Sequence, residues 1–84
     1  MYKIIITKDV YKQIANLPSD MADKIALTIN KLEENPRPAG VKKLKSYNNY
    51  YRIRLGVYRI VYSIEDRILV IRVIRVAHRK QVYL

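Results

Sequence analysis

The stretch from Tyr51 to Ile64, YRIRLGVYRIVYSI, decides the fold. Tyr51, Ile53 and Leu55 alternate with Arg52 and Arg54, the period-two pattern of a strand with one buried and one cationic face. Gly56-Val57 then offers a two-residue hairpin turn with glycine first, which suits a type II′ turn. Tyr58, Ile60, Tyr62 and Ile64 carry the core face onward, with Arg59, Val61 and Ser63 opposite. The turn sets the register: Leu55 faces Tyr58, Arg54 faces Arg59, and Arg52 faces Val61. Like charges directly opposed in a sheet destabilise it, so a chain that needed only to fold would tend to avoid such a pair. An anion between the two guanidinium groups changes this, because arginine presents planar donors that match phosphate oxygens. The competing reading has these arginines splayed into water, their stems covering apolar surface.

Downstream, Glu65-Asp66-Arg67 reads as a turn, and Ile68 to Val76 as a nearly continuous apolar strand suited to a central place covered on both faces. Arg72 and Arg75, three apart, are expected on opposite faces of it. The loop length at Glu65 leaves open which one joins the cationic face; parity with Arg79 favours Arg75, and pairing with a helix acid is an equal reading for Arg72. Upstream, Tyr2 to Thr7 is a β-branched strand. Val10, Tyr11, Ile14 and Leu17 recur at helical spacing from Lys8. Pro18 stops that helix, Ser19 serves as N-cap of the next, and Asp20 and Asp23 favour its dipole. Met21, Ile25, Ile29 and Leu32 form one apolar stripe of the second helix, which ends near Asn35 ahead of Pro36. Asn35 to Gly40 is a loop. The order β-α-α-β-β-β describes a single α+β domain over residues 1–84. Its N-terminal strand and helical hairpin pack on one face of a small, mainly antiparallel sheet.

Composition agrees. The chain has 84 residues, which suits one domain, and its 50% apolar content argues against disorder. Without cysteine there is no disulfide framework and no thiol nucleophile, and a single histidine makes a histidine-built metal site improbable. No apolar run suits a membrane span or a signal peptide, so a cytoplasmic protein without membrane contact is expected. Lys and Arg number 17 against 7 Asp and Glu, a net charge of +10. Residues 1–40 carry 6 basic and 5 acidic side chains, and residues 41–84 carry 11 and 2. A one-sided excess of this size points to a polyanionic partner, with nucleic acid the first choice.

Other residues bear on chemistry. Tyr47 and Tyr50 flank the basic strand and offer rings for base stacking. Tyr83 either donates to phosphate and exchanges a proton or plugs the sheet edge, and the residues alone do not choose. His78 titrates near neutrality beside the cluster, yet a lone histidine is more often structural. Paired carboxylates, a glycine-rich phosphate loop and a nucleophile triad are all missing from the sequence. Arginines with a tyrosine can stabilise the added charge of a phosphorane-like transition state. RNA brings its own nucleophile, the 2′-hydroxyl, so cleavage of RNA fits this toolkit better than cleavage of DNA.

The runs KLKSYNNYYRIRLGVYRIVYSIED (residues 43–66) and IRVAHRKQVY (residues 74–83) resemble the RelE/ParE superfamily of toxins from type II toxin–antitoxin systems. The resemblance covers essentially the whole chain, and the RelE branch looks nearer. It implies a ribosome-dependent mRNA interferase that cuts translated mRNA in the A site, without metal or cofactor, leaving a 2′,3′-cyclic phosphate and a 5′-hydroxyl. By the same resemblance Arg52 and Arg54 contact the scissile phosphate, and Arg59 stabilises the transition state. Arg79 binds phosphate, and Tyr83 orients or assists the 2′-hydroxyl. Lys43 and Lys45 join Arg75 and His78 in contacting nucleic acid. The implied partners are ribosome and mRNA, a RelB-like antitoxin with an acidic helical segment, and DNA only through the antitoxin complex. The RelE pattern has lysines where this chain has Arg52 and Arg54. Arginine does not deprotonate, so a general base must come from Tyr83, His78 or the ribosome. Two alternatives stand beside this reading: a ParE-like inhibitor of DNA gyrase, and an inactive member that binds only its antitoxin.

Overall fold

The computed structural model describes residues 1–45 and 47–81. Strand β1 (Lys3–Ile6) leads into helix α1 (Lys8–Ala15), then α2 (Ser19–Lys31), β2 (Lys42–Lys43), β3 (Tyr50–Leu55), β4 (Tyr58–Glu65) and β5 (Val70–His78). The five strands form one sheet in the order β1-β5-β4-β3-β2. Only β1 and β5 pair parallel, joined by the long crossover through the helices. The α+β class and its mainly antiparallel sheet are therefore as expected, with the two-residue edge strand β2 as an addition.

Both helices lie on one face, where Val10, Ile25, Ile29 and Leu32 meet Tyr51, Ile53, Ile60, Tyr62, Ile64, Ile71, Val73 and Val76 in a single core. Helix α1 starts at Thr7, whose hydroxyl accepts from the Val10 N–H at 3.3 Å. Thr7 thus caps a helix rather than closing the strand. Three expectations on the helices need correction. Tyr11, read as part of the apolar stripe, is 60% exposed. Ser19, read as N-cap, is the first helical residue; Pro18 holds the cap position in extended geometry, and its carbonyl accepts from Ala22. Proline fixes a suitable φ there and has no N–H to lose, but offers no capping side chain. Helix α2 closes at Lys31, and tightened turns through Leu32, Glu33 and Glu34 carry the coil to Asn35, which explains why the periodicity overran.

The hairpin is as read: Gly56 has φ 61° and Val57 a negative φ, the type II′ pattern. Strand β5 begins two residues later than expected. Ile68 and Leu69 belong to the turn, where they are 58% and 47% exposed, and Leu69 takes φ 55°. The Leu69 carbonyl accepts from the Lys3 N–H at 2.8 Å, which starts the parallel ladder at Val70. Strand β5 is interior, between β1 and β4, but it is not covered on both faces, since Arg72 is exposed. The doubly covered strand is β4, which buries Ile60, Val61, Tyr62, Ser63 and Ile64 in succession.

Two locks hold the sheet to its loops. The Tyr62 hydroxyl, fully buried, donates to the Pro36 carbonyl at 2.7 Å. Arg37 then reaches across the Tyr51 ring to Asp66, which also accepts from the Tyr2 hydroxyl at 2.6 Å.

Candidate nucleic-acid interface

Directly paired residues share a sheet face, so register alone assembles the helix-free surface. Arg54 pairs with Arg59 and Arg52 with Val61, as the turn chemistry predicts. Lys42 pairs with Arg52 and Arg75 with Val61, so one row across four strands reads Lys42, Arg52, Val61, Arg75. The next row toward the hairpin tip holds Arg54, Arg59 and Ala77.

A β-bulge brings Arg75 to this face. Val61 pairs with Arg75 and Tyr62 with Val73, which leaves Ile74 as an extra residue in β5. Were Ile74 instead kept in the ladder in strict alternation, Arg75 would turn toward the helices and Val76 toward solvent. With the bulge, Val76 is buried, and Arg72 and Arg75 both lie on the arginine face. The expectation that these two arginines occupy opposite faces is therefore corrected, and Arg75 sits on the cationic face as favoured. Arg72 is not a free cation: it pairs with Glu65 on the same face. Helix α1 secures the bulged segment beyond the end of β1, where the Gln13 side-chain carbonyl accepts from the Val76 N–H at 2.7 Å.

No helix among the described residues covers this face, yet Val61 is fully buried and Ser63 is 7% exposed. The cross-strand neighbours of Val61 on this face are Arg52 and Arg75, whose long aliphatic stems flank it. The arginine head groups on this face are not all solvated, however. Arg59 Nη1 and Arg75 Nε are buried without an acceptor among the described residues. A guanidinium N–H in that state lacks the partner that buried donors normally have. The Arg59 pKa is driven below its ordinary value, first by desolvation and then by the charges of Arg54, Arg52 and Arg79. Arginine stays protonated even so, and Arg59 is a fixed cation crowded by three others.

The tail folds back to add Arg79. Its N–H donates to the Val57 carbonyl at the hairpin tip at 2.7 Å, and Arg75 Nη2 donates to the Gln81 carbonyl at 2.9 Å. Among the described residues the ion pairs are Arg37–Asp66 and Arg72–Glu65, which engage both acidic residues of the basic half. Arg52, Arg54, Arg59, Arg75 and Arg79 have no carboxylate partner among those residues.

The remaining candidates separate. Lys42, which the sequence reading passed over, extends the arginine row, whereas Lys43 pairs with Tyr51 and so has the parity of the core face. Nothing in the Lys42-Lys43 dipeptide distinguishes the two before the edge strand is known. Lys45 is exposed in the turn that follows. His78 pairs with Tyr58, packs edge-on to its ring at 5.7 Å and accepts at Nδ1 from the Lys80 N–H. That places it on the helix side of the sheet, away from the opposed arginines. Tyr83 lies outside the described residues. Tyr50 is on the arginine face, stacked on Tyr47 at 5.1 Å between ring centroids.

This α+β fold of two helices and a five-stranded mixed sheet is shared with solved structures of bacterial and archaeal RelE toxins. Residues 4–83 match the family model described as ParE toxin of type II toxin–antitoxin system, parDE, and the chain belongs to that family. Within it the chain is a RelE-like toxin. It is 34% identical to Toxin RelE3 of Methanocaldococcus jannaschii over 96% of this chain and 94% of that protein. The crystal structure of the archaeal RelE–RelB complex from Pyrococcus horikoshii superposes with TM-score 0.84 at 30% identity, covering 96% of this chain and 98% of that one. The isolated RelE toxin of E. coli superposes with TM-score 0.79 at 26% identity, over 93% of this chain and 84% of that one.

Proposed function

We propose that this toxin is a ribosome-dependent endoribonuclease that cleaves translated mRNA in the A site, and that a RelB-like antitoxin neutralises it. The observation that carries the reading is Arg59, a partly desolvated guanidinium opposed to Arg54, whose Nη1 has no acceptor among the described residues. A phosphate oxygen supplies that acceptor and offsets the repulsion. In cleavage the 2′-hydroxyl oxygen bonds to the adjacent phosphorus, the bond to the 5′-oxygen breaks, and the products are a 2′,3′-cyclic phosphate and a 5′-hydroxyl. Arg59 and Arg54 sit where charge gathers on the equatorial oxygens, with Arg52 and Arg79 holding the flanking backbone. The 2′-hydroxyl must lose a proton and the leaving oxygen must gain one. Arginine performs neither transfer, and His78 faces the other side of the sheet, so these duties fall to Tyr83 or to groups of the ribosome. Complexes of related RelE toxins with RelB support the antitoxin assignment, since a face this basic attracts an acidic segment.

Mapping mRNA 5′ ends after induced expression tests the reading. Breaks confined to translated codons, lost in Arg59→Ala, are the expected result; intact mRNA in a growth-arrested cell would refute it. The family description names the ParE toxin, which favours gyrase inhibition as the second reading. Supercoiling by gyrase that is undisturbed at saturating toxin removes that alternative.

A further inference from the structure

We infer that the stacked Tyr47–Tyr50 pair and the groove beside it form a nucleobase subsite for a single RNA strand whose phosphates lie on the arginine rows. This rests on the RNA reading above and adds what the strand presents besides phosphate. Tyr50 stands two residues before Arg52 on the same face of β3, about 6.7 Å along the strand from the row of Lys42, Arg52 and Arg75. The Tyr47 ring stacks on it with 19° between planes and is itself 41% exposed, so the pair leaves an aromatic surface to solvent. Beside Tyr50 a groove of about 800 Å³ runs over Ser63 to Arg72 and Ile74, with Asn48 and Glu65 on its walls.

The electrostatics of this groove differ from those of the arginine rows. Both acidic residues of the basic half border it, Glu65 bound to Arg72 and Asp66 bound to Arg37. Carboxylates repel phosphate, so the backbone belongs on the rows. A base edge suits the groove: its amino groups donate to a carboxylate, and its ring nitrogens and carbonyls accept from a guanidinium or an amide. A cationic track for the backbone with an aromatic platform for the base is the division of labour of single-strand binders. The bulge adds to it, because the extra residue Ile74 supplies an apolar floor to the groove while Arg75 remains in the phosphate row.

The test compares two fluorescein-labelled strands of equal length, oligoadenylate RNA and an abasic ribose-phosphate strand, by anisotropy with the full chain at fixed low salt. Tyr47→Ala is expected to weaken oligoadenylate binding about tenfold, in line with the loss of one base–aromatic stack, and to leave the abasic strand unchanged. Tyr47→Phe, which keeps the ring, should bind as the unaltered chain does, and Arg52→Ala should weaken both strands. If Tyr47→Ala weakens neither strand, or both equally, the subsite is overturned and the RNA reading stands. If the unaltered chain binds neither strand, the RNA reading fails and the subsite falls with it.

Discussion

Arg54→Glu should make the protein more stable and less able to work. Arg54 and Arg59 are direct cross-strand partners, with Cβ atoms about 5 Å apart by the geometry of such pairs. Arg59 also feels Arg52 and Arg79, and no carboxylate among the described residues offsets them. Replacing Arg54 by glutamate turns a repulsive pair into an attractive one. Directly opposed charges are worth about 0.2–1 kcal/mol in either direction, so reversing one sign should add on the order of 1 kcal/mol. For a domain of this size that raises Tm by about 4–8 °C. Thermal unfolding followed by circular dichroism at about 20 mM salt measures it. In about 1 M salt, where the Debye length falls to about 3 Å, most of the gain should disappear. Inorganic phosphate should raise the Tm of the unaltered chain and have less effect on the variant, because the anion binds only where both guanidinium groups converge. A variant that melts at or below the unaltered Tm in low salt would refute the premise that this face stores repulsion relieved by an anion.

Two further outcomes follow from single side-chain contacts. Asp66 has its carboxyl held below the usual carboxylate range, first by the hydrogen bond from Arg37 and then by that from Tyr2. A depressed folded-state pKa stabilises the protein above about pH 4 and loses that contribution as pH falls through the folded value. The urea midpoint should therefore drop as pH falls below about 4, and Asp66→Asn should flatten that drop; an identical acid profile for both chains would contradict it. Gln13→Ala leaves the Val76 N–H without its acceptor, at a cost of about 1–2 kcal/mol. Amide exchange at Val76 should accelerate well beyond that in the centre of β4, and unchanged protection at Val76 would show that the contact does not hold the strand.

The hairpin at the heart of the candidate site was legible because a two-residue turn allows one register. Once Gly56-Val57 is recognised, the Arg54–Arg59 opposition is arithmetic. The neighbouring strand was not legible to the same degree. VIRVIRV has no glycine or proline to mark a bulge, and a strictly alternating reading sends one of its arginines to each face. Tertiary packing decides instead, since Val73 and Val76 both bury on the helix side only if one residue between them drops out of the ladder. His78 failed for a related reason: proximity in sequence to Arg79 says nothing about the face, and its pairing with Tyr58 does. Lys42 was passed over because a two-residue edge strand carries almost no pattern. Pro18 displaced Ser19 because proline in extended geometry can hold a cap position that side-chain chemistry alone assigns to serine.

The extra residue in β5 also bears on how such a strand can change through evolution. Deletion of one residue inside a buried strand ordinarily inverts every side chain beyond it, and for that reason selection removes it. Ile74 is an exception. Its loss would join Val73 to Arg75 in plain alternation, with Arg75 still outward and Val76 still inward. Length variation at this point is phase-neutral. A lineage can therefore gain or shed a codon in the middle of the sheet, reshaping the groove floor, while every arginine on the cationic face keeps its direction.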